Sequence, residues 1–367
     1  HWRSGTFAVD EVDSLPDDVR EILRQSWEEH RRDTLFFLAA FSLRDSRWED
    51  ARGLSSSLLD LARQGADAAP GDEKAEAKLA SAHLSMGWAL NGLGVSDDAA
   101  MHLTRAVDIR QMLTDLDPSR VDAHRQLGHA LYLQASALDK AGRHQAGADS
   151  MTRSVSAFRR VAELAPGDLQ AARGLADALG SLAGMQARLG HLDAAVGCHE
   201  EAISILSTLA DRAPHDRTTQ IALADVLKDL GKQWIHSGDR EAASRQFRRA
   251  VDVLAPLAQA DDEVRGTLAH TQFCLVAALG PNHPQEALSP AVESVANYRA
   301  LAERAHDDHE IQKALALSLM LLGEVVAAIG QQVQAVDHLT SAANILQLLA
   351  ELNPGERPDE LIATLNA

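Results

Sequence analysis

The chain has 367 residues, 46% apolar but only 4% aromatic, so its apolar content is largely alanine, leucine and valine, which suits close-packed helices better than a sheet core. A formal net charge of −18 at pH 7 argues against a general binder of nucleic acid or of anionic membranes. Two cysteines, Cys198 and Cys274, without framework spacing favour a reducing, cytoplasmic compartment, and the longest apolar run, residues 35–43, is far too short to span a bilayer.

Residues 1–16 show no period and read as a leader, beginning His1-Trp2 without methionine. The sequence is therefore read as a fragment, or as a chain that has lost its start, with room for a further domain elsewhere. Pro16-Asp17-Asp18 has the chemistry of a helix start, proline in the first turn and acids at the positive end of the dipole. A long helix follows to about Arg44, with a break expected at residues 30–33. Residues 48–67 are its partner, closed by Pro70.

Six more helix pairs follow, over 71–118, 119–166, 167–214, 215–262, 263–306 and 307–354. In the best-defined, Leu175, Ala178, Leu179, Leu182, Ala183 and Leu189 form one apolar stripe at helical spacing. Gly190 supplies a helix end, and Asp193 is expected to cap the next helix, which carries Ala195, Ala202, Ile203, Leu206 and Leu209. Pro214 stops that helix and biases Ala213 away from helical geometry. The sixth pair carries Gly280-Pro281-Asn282-His283-Pro284 in place of a single-glycine turn, and its first helix is expected to be about one turn short. Residues 355–367 read as a short capping helix.

These units are copies of one pattern. Pro70, Pro118, Pro166 and Pro214 are 48 residues apart, as are Gly94, Gly142, Gly190 and Gly238, and Leu79, Leu127, Leu175 and Leu223. The interval from Ala243 to Ala287 is 44 residues, after which Ala335 restores 48. A single helical hairpin leaves much of its apolar surface wet, so the pattern predicts stacking on neighbours.

Leu230-Gly231 is followed by Ala243, Phe247 and Ala250; Met86-Gly87 by Ala99, Leu103 and Ala106; Leu322-Gly323 by Ala335, Leu339 and Ala342. This resembles the tetratricopeptide repeat (TPR), in a long-helix variety found in bacterial signalling proteins, over residues 17–354. Gly147 in place of alanine, His199 at a usually apolar position and the missing turn glycine of the sixth unit depart from the pattern. The resemblance implies an all-α fold, a right-handed α-solenoid superhelix of about seven hairpins whose first helices line a concave groove.

The resemblance further implies that the groove binds an extended peptide or a partner's helix. Carried over residue by residue, the groove positions are Ser81, Leu84, Trp88 and Asn91; Arg125, His129, Tyr132 and Ser136; Arg173, Asp177, Gly180 and Gly184; and Asp225, Lys228 and Lys232. Trp88 and Tyr132 would be neighbouring aromatic anchors. Arg125, Arg173, Lys228 and Lys232 would form a basic strip for an acidic partner or a free carboxylate. Against this stands packing of the two aromatics on adjacent helices and pairing of the cations with Asp177 and Asp225. For Gly180 and Gly184, tight helix packing is preferred over a bare backbone patch.

Catalytic patterns are poor. Cys198-His199-Glu200 are consecutive on one helix and point about 100° apart, so they cannot assemble a thiolate–imidazole pair. His306-Asp307-Asp308-His309-Glu310 has the composition of a metal cluster but lies at a unit junction, where acids cap the next helix. The glycines Gly87, Gly92 and Gly94 lack a preceding strand, which excludes a nucleotide loop. The reading is a non-catalytic scaffold or sensor module without cofactor or metal, binding a protein or peptide but neither nucleic acid nor membrane. Two alternatives remain: an array sensing a small molecule or short peptide, and a self-assembling scaffold paired through Phe36, Phe37 and Phe41.

Overall fold

The structure is a computed structural model, and it describes residues 35–36, 38–40, 42–259, 261–305 and 307–352. The leader, the helix start at Pro16, the break at 30–33, Phe37, Phe41, His306 and the capping segment 355–367 lie outside the described residues. Among the described residues there is no strand.

The chain divides into two compact units, residues 1–174 and 175–367. In the first, helical residues 42–44 precede α1 (Trp48–Ala68), α2 (Glu73–Gly92), α3 (Ser96–Leu116), α4 (Val121–Lys140) and α5 (His144–Leu164). The helix α6 (Leu169–Arg188) runs through the division. The second unit holds α7 (Leu192–Arg212), α8 (Arg217–Ser237), α9 (Arg240–Leu254), α10 (Asp262–Leu279), α11 (Pro284–Ala302), α12 (His309–Ala328) and α13 (Gln332–Leu352). Within each unit a helix packs on its chain neighbours, and first helices of successive hairpins also touch: α2 on α4, then α8 on α10 and α10 on α12. Contacts confined to near neighbours are the mark of a helical solenoid.

Two local devices set the helix ends. Most first helices begin at an aspartate whose carboxylate accepts backbone N–H groups: Asp72 from Ala75 at 2.8 Å, Asp168 from Ala171 at 3.0 Å, Asp216 from Thr218 at 3.1 Å and Asp308 from Glu310 at 3.0 Å. The turns at Gly142 and Gly190 are closed by backbone hydrogen bonds, whereas between α8 and α9 the Asp239 carboxylate also accepts from Ala242 N–H at 2.8 Å. Gly142 has φ +76° and Gly190 φ +83°, and beyond them Arg143 N–H donates to Leu138 O and His191 N–H to Gln186 O, both at 2.9 Å. A side chain at that left-handed residue would clash with its own backbone, which is why glycine recurs there. The expectation that Asp193 caps α7 is corrected here: the cap is His191, whose side chain bonds no N–H of the helix start and instead pairs with Gln186 Oε1 at 2.7 Å, and Asp193 falls in the first turn. The tight glycine turn places the helix start two residues earlier than a side-chain cap at Asp193 would.

Two successive helices around the four-residue deficit are short. α10 has 18 residues against 21 in α8, just under the expected turn. The sequence reading missed that α9 has 15 residues against 21 in α7. Pro256 explains it, because its ring nitrogen has no N–H to donate to the helical ladder and its ring collides with the carbonyl four residues back.

The core follows the repeat. Ala99, Leu103 and Ala106 are fully buried, as is Ala243, with Phe247 at 1% exposure. α12 is the one described helix long and apolar enough to cross a bilayer by length and composition, although 56% of that stretch is buried in its packing with α11 and α13.

Candidate functional site

In the first unit, α2 and α4 carry the residues expected to face a partner. Trp88 is 38% exposed, the one tryptophan among the described residues with so open a side chain, and Leu84 is half-buried beside it on α2. On α4, Arg125, Tyr132 and Ser136 are half-buried and His129 is exposed. Asn91 is buried between the helices, where its Nδ2 donates to Ser136 Oγ at 3.3 Å while its Oδ1 has no partner. It thus bridges α2 and α4 and presents little to a ligand.

His129 stands edge-on to Phe158, ring centroids 5.1 Å apart. Burial of that side of the imidazole, and then the charge of Arg125, lower its pKa below the ordinary value and keep it neutral at pH 7. Arg125 is committed inside the chain, donating to both Asp122 and Asp168. The Asp168 carboxyl is held below the usual range first by the backbone N–H of Ala171 and further by Arg125. Arg173, half-buried at the start of α6, and Tyr132 are likewise engaged.

In the second unit, Asp177 is exposed and engaged, and Gly180 and Gly184 are half-buried on α6. Tight packing does not account for these two glycines. A Cβ at Gly180 would meet only Val226 Cγ2 at 3.5 Å, and one at Gly184 only Arg188 at 3.8 Å, both ordinary contacts. On α8 the cations are paired within their own helix: Lys228 Nζ with Asp225 at 2.7 Å and Lys232 Nζ with Asp229 at 3.2 Å. The expected basic strip is thus largely neutralised by acids three residues away, pairs worth only a few tenths of a kcal/mol each at a surface (~0.2–0.5).

The sequence reading missed two residues of this face, His270 and Phe273 on α10, whose rings stack with centroids 6.5 Å apart. The signal was present: matching Leu268-Ala269 to Leu223-Ala224 aligns α10 on α8, which puts His270 opposite Asp225 and Phe273 opposite Lys228. The slipped phase of the sixth pair concealed it. Burial, and then Lys232 and Lys228, lower the His270 pKa. Burial pushes the neighbouring Cys274 thiol up to about 11 despite the two lysines, so at pH 7 it is a protonated, unreactive thiol. His199 is 3% exposed, and burial lowers its pKa as well. No group of three metal-ligating side chains occurs among the described residues.

What decides the architecture is the crossing of the two helices in each hairpin. A Cβ at Gly87 would lie 2.5 Å from Leu103 Cγ, at Gly231 2.7 Å from Phe247 Cε1, and at Gly323 2.9 Å from Leu339 Cγ. The first-helix glycine receives the large side chain of the second helix, between two buried alanines. The fold is that of the tetratricopeptide repeat.

Similarity to one solved structure supports the fold. The apo form of RapI superposes with a TM-score of 0.51 at 10% identity, covering 88% of this chain and 99% of that one. The C-terminal part of a TPR repeat-containing protein from Cytophaga hutchinsonii gives 0.46 at 12% identity, covering 89% and 98%. A Rap protein complexed with Competence and Sporulation Factor gives 0.47 at 13%, covering 93% and 79%. No family model and no curated protein matches the sequence.

Proposed function

We propose that this TPR protein is a non-catalytic scaffold or sensor module, a cytoplasmic part of a larger bacterial signalling system, which takes a protein or peptide partner on the exposed faces of its first helices. The observation that carries the reading is Trp88. It is 38% exposed on a helix whose neighbouring positions Met86, Gly87, Ala89 and Leu90 are all buried in the hairpin core. Apolar area held open on a rigid support anchors an interface, and tryptophan is among the residues that most often dominate one. Tyr132 and His129 on α4 extend the same face.

The second unit offers a different chemistry. Lys232 is 45% exposed at its side chain and held only by Asp229, so an acidic residue of a partner exchanges one weak surface pair for another.

The test is selection of peptides from a displayed random library on the full chain, followed by titration against Trp88→Ala and Tyr132→Ala. The reading requires a loss of about tenfold or more for Trp88→Ala with thermal stability retained, the scale of a hot-spot residue. Selected peptides that bind wild type and Trp88→Ala equally would sink it.

A further inference from the structure

The buried face of α3 holds a cation. Ala106, Val107, Ile109 and Leu113 are buried, and in their midst stands Arg110, itself only 8% exposed. Its side chain passes between α2 and α4. One terminal nitrogen donates to Ala77 O at 3.2 Å and to Ser81 Oγ at 2.7 Å, and the other donates to Gln126 Oε1. All three acceptors are neutral. Burial pulls the guanidinium pKa down to about 10, which leaves it charged at pH 7, and among the described residues no carboxylate pairs with it. A buried cation without a counter-ion is an unfavourable arrangement unless something else uses its charge. Of the five N–H groups of an arginine, these contacts leave two unspent.

Arg110 lines a cavity of about 350 Å³, at the lower end of the range for small-molecule sites, about 300–1,000 Å³. One wall is apolar, formed by Phe36, Leu58 and Ala62. The other carries Lys74 and Lys78, both exposed, and among the described residues neither makes an ion pair. Among the described residues no aspartate or glutamate lines the cavity, in a chain whose net charge is −18. Cation without acid on one side and hydrocarbon on the other is a pairing that neither inorganic ions nor neutral hydrocarbons satisfy.

We propose that this cavity binds a small carboxylic acid with an aliphatic body, its carboxylate held by Arg110 with Lys74 and Lys78 and its chain laid on Phe36, Leu58 and Ala62. The planar guanidinium fork matches a carboxylate. A doubly charged inorganic anion would leave the hydrocarbon wall wet. The cavity takes in Ser81 of the groove positions but neither Trp88 nor Tyr132, so each reading fails on its own test.

Calorimetric titration of the full chain with octanoate, octanol, sulfate and acetyl-glycyl-leucine tests it. Octanoate is expected to bind, octanol at least about tenfold more weakly, and sulfate not to displace octanoate. Arg110→Met is expected to weaken octanoate about tenfold or more, and Lys74→Gln/Lys78→Gln about threefold to tenfold. Trp88→Ala should leave it unchanged. Since Arg110→Met also removes three internal hydrogen bonds, the exposed lysine pair decides the matter if that variant fails to fold. The proposal is overturned if octanoate does not bind, if octanol binds as tightly, if sulfate displaces octanoate, or if the lysine pair can be removed without effect. Tighter binding of acetyl-glycyl-leucine than of octanoate would overturn it too, assigning the cavity to a peptide C-terminus.

Discussion

The same substitution, glycine to alanine, should have opposite effects at two first-helix positions of the second compact unit. At Gly231 a Cβ would sit 2.7, 2.9 and 2.9 Å from three ring carbons of Phe247, a side chain with 1% exposure and no free space to move into. At Gly180 the same atom would meet one methyl group at 3.5 Å. Alanine in a helix interior is intrinsically favoured over glycine by about 1 kcal/mol, and both positions gain that. Gly180→Ala has nothing to set against it and should stabilise by roughly 0.5–1 kcal/mol. Gly231→Ala must displace a buried ring, an overpacking cost of about 1–3 kcal/mol, so the net is a loss of up to roughly 2 kcal/mol. Urea titrations of the full chain, followed by helical circular dichroism, give the difference provided the m value is unchanged. The double variant Gly231→Ala/Phe247→Leu should recover part of the loss, because the smaller side chain vacates the contact. Equal shifts in the same direction for both single variants would refute the claim that helix approach, rather than helix propensity, governs Gly231.

Three further outcomes are expected. His83 and His102 lie Nδ1 to Nδ1 at 3.0 Å, and burial, then His102, Arg63 and Arg105, lower the His83 pKa to about 4. Between pH 6.5 and 4 the unfolded chain therefore binds a proton that the folded chain does not. Stability falls as pH drops through that window, by up to about 3 kcal/mol at 1.36 kcal/mol per pKa unit, and His83→Leu should flatten the slope in pH-dependent melts. Asp168→Ala removes both the N-cap bond to Ala171 and the partner of Arg125, and should cost about 1–2 kcal/mol, while Asp168→Asn keeps the cap and loses less. Ala195→Leu places a branched side chain at a fully buried helix crossing and should cost roughly 1–3 kcal/mol, read as a lower midpoint in thermal melts.

Much of the candidate site was legible only in part. Trp88 was found because first-helix positions recur in register, and it is exposed as that register requires. Asn91 obeys the same register but is buried, because Ser136 of the next helix lies within hydrogen-bond reach of it. Pairing of a cation with Asp225 was legible, and Lys228 makes it; the other partners were not. Lys228 and Lys232 find acids on their own helix, whereas Arg125 crosses to Asp168, 43 positions along the chain. His270, Phe273 and Arg110 were overlooked for different reasons: a slipped phase hid the first two, and a cation inside an apolar stripe was not read as a sign of burial.

What the sequence determined by itself is whatever depends on near neighbours along the chain. Turn glycines such as Gly142 and Gly190 adopt positive φ because their own backbones demand it, and the apolar stripes bury because helical spacing gathers them on one side. What only the tertiary structure decided is which side chain occupies the space between helices. Phe247 fills the notch of Gly231, Gly180 stays open, and Arg110 is drawn in between α2 and α4. Those outcomes depend on how close two helices pass, and that distance is set by all the side chains at the crossing together.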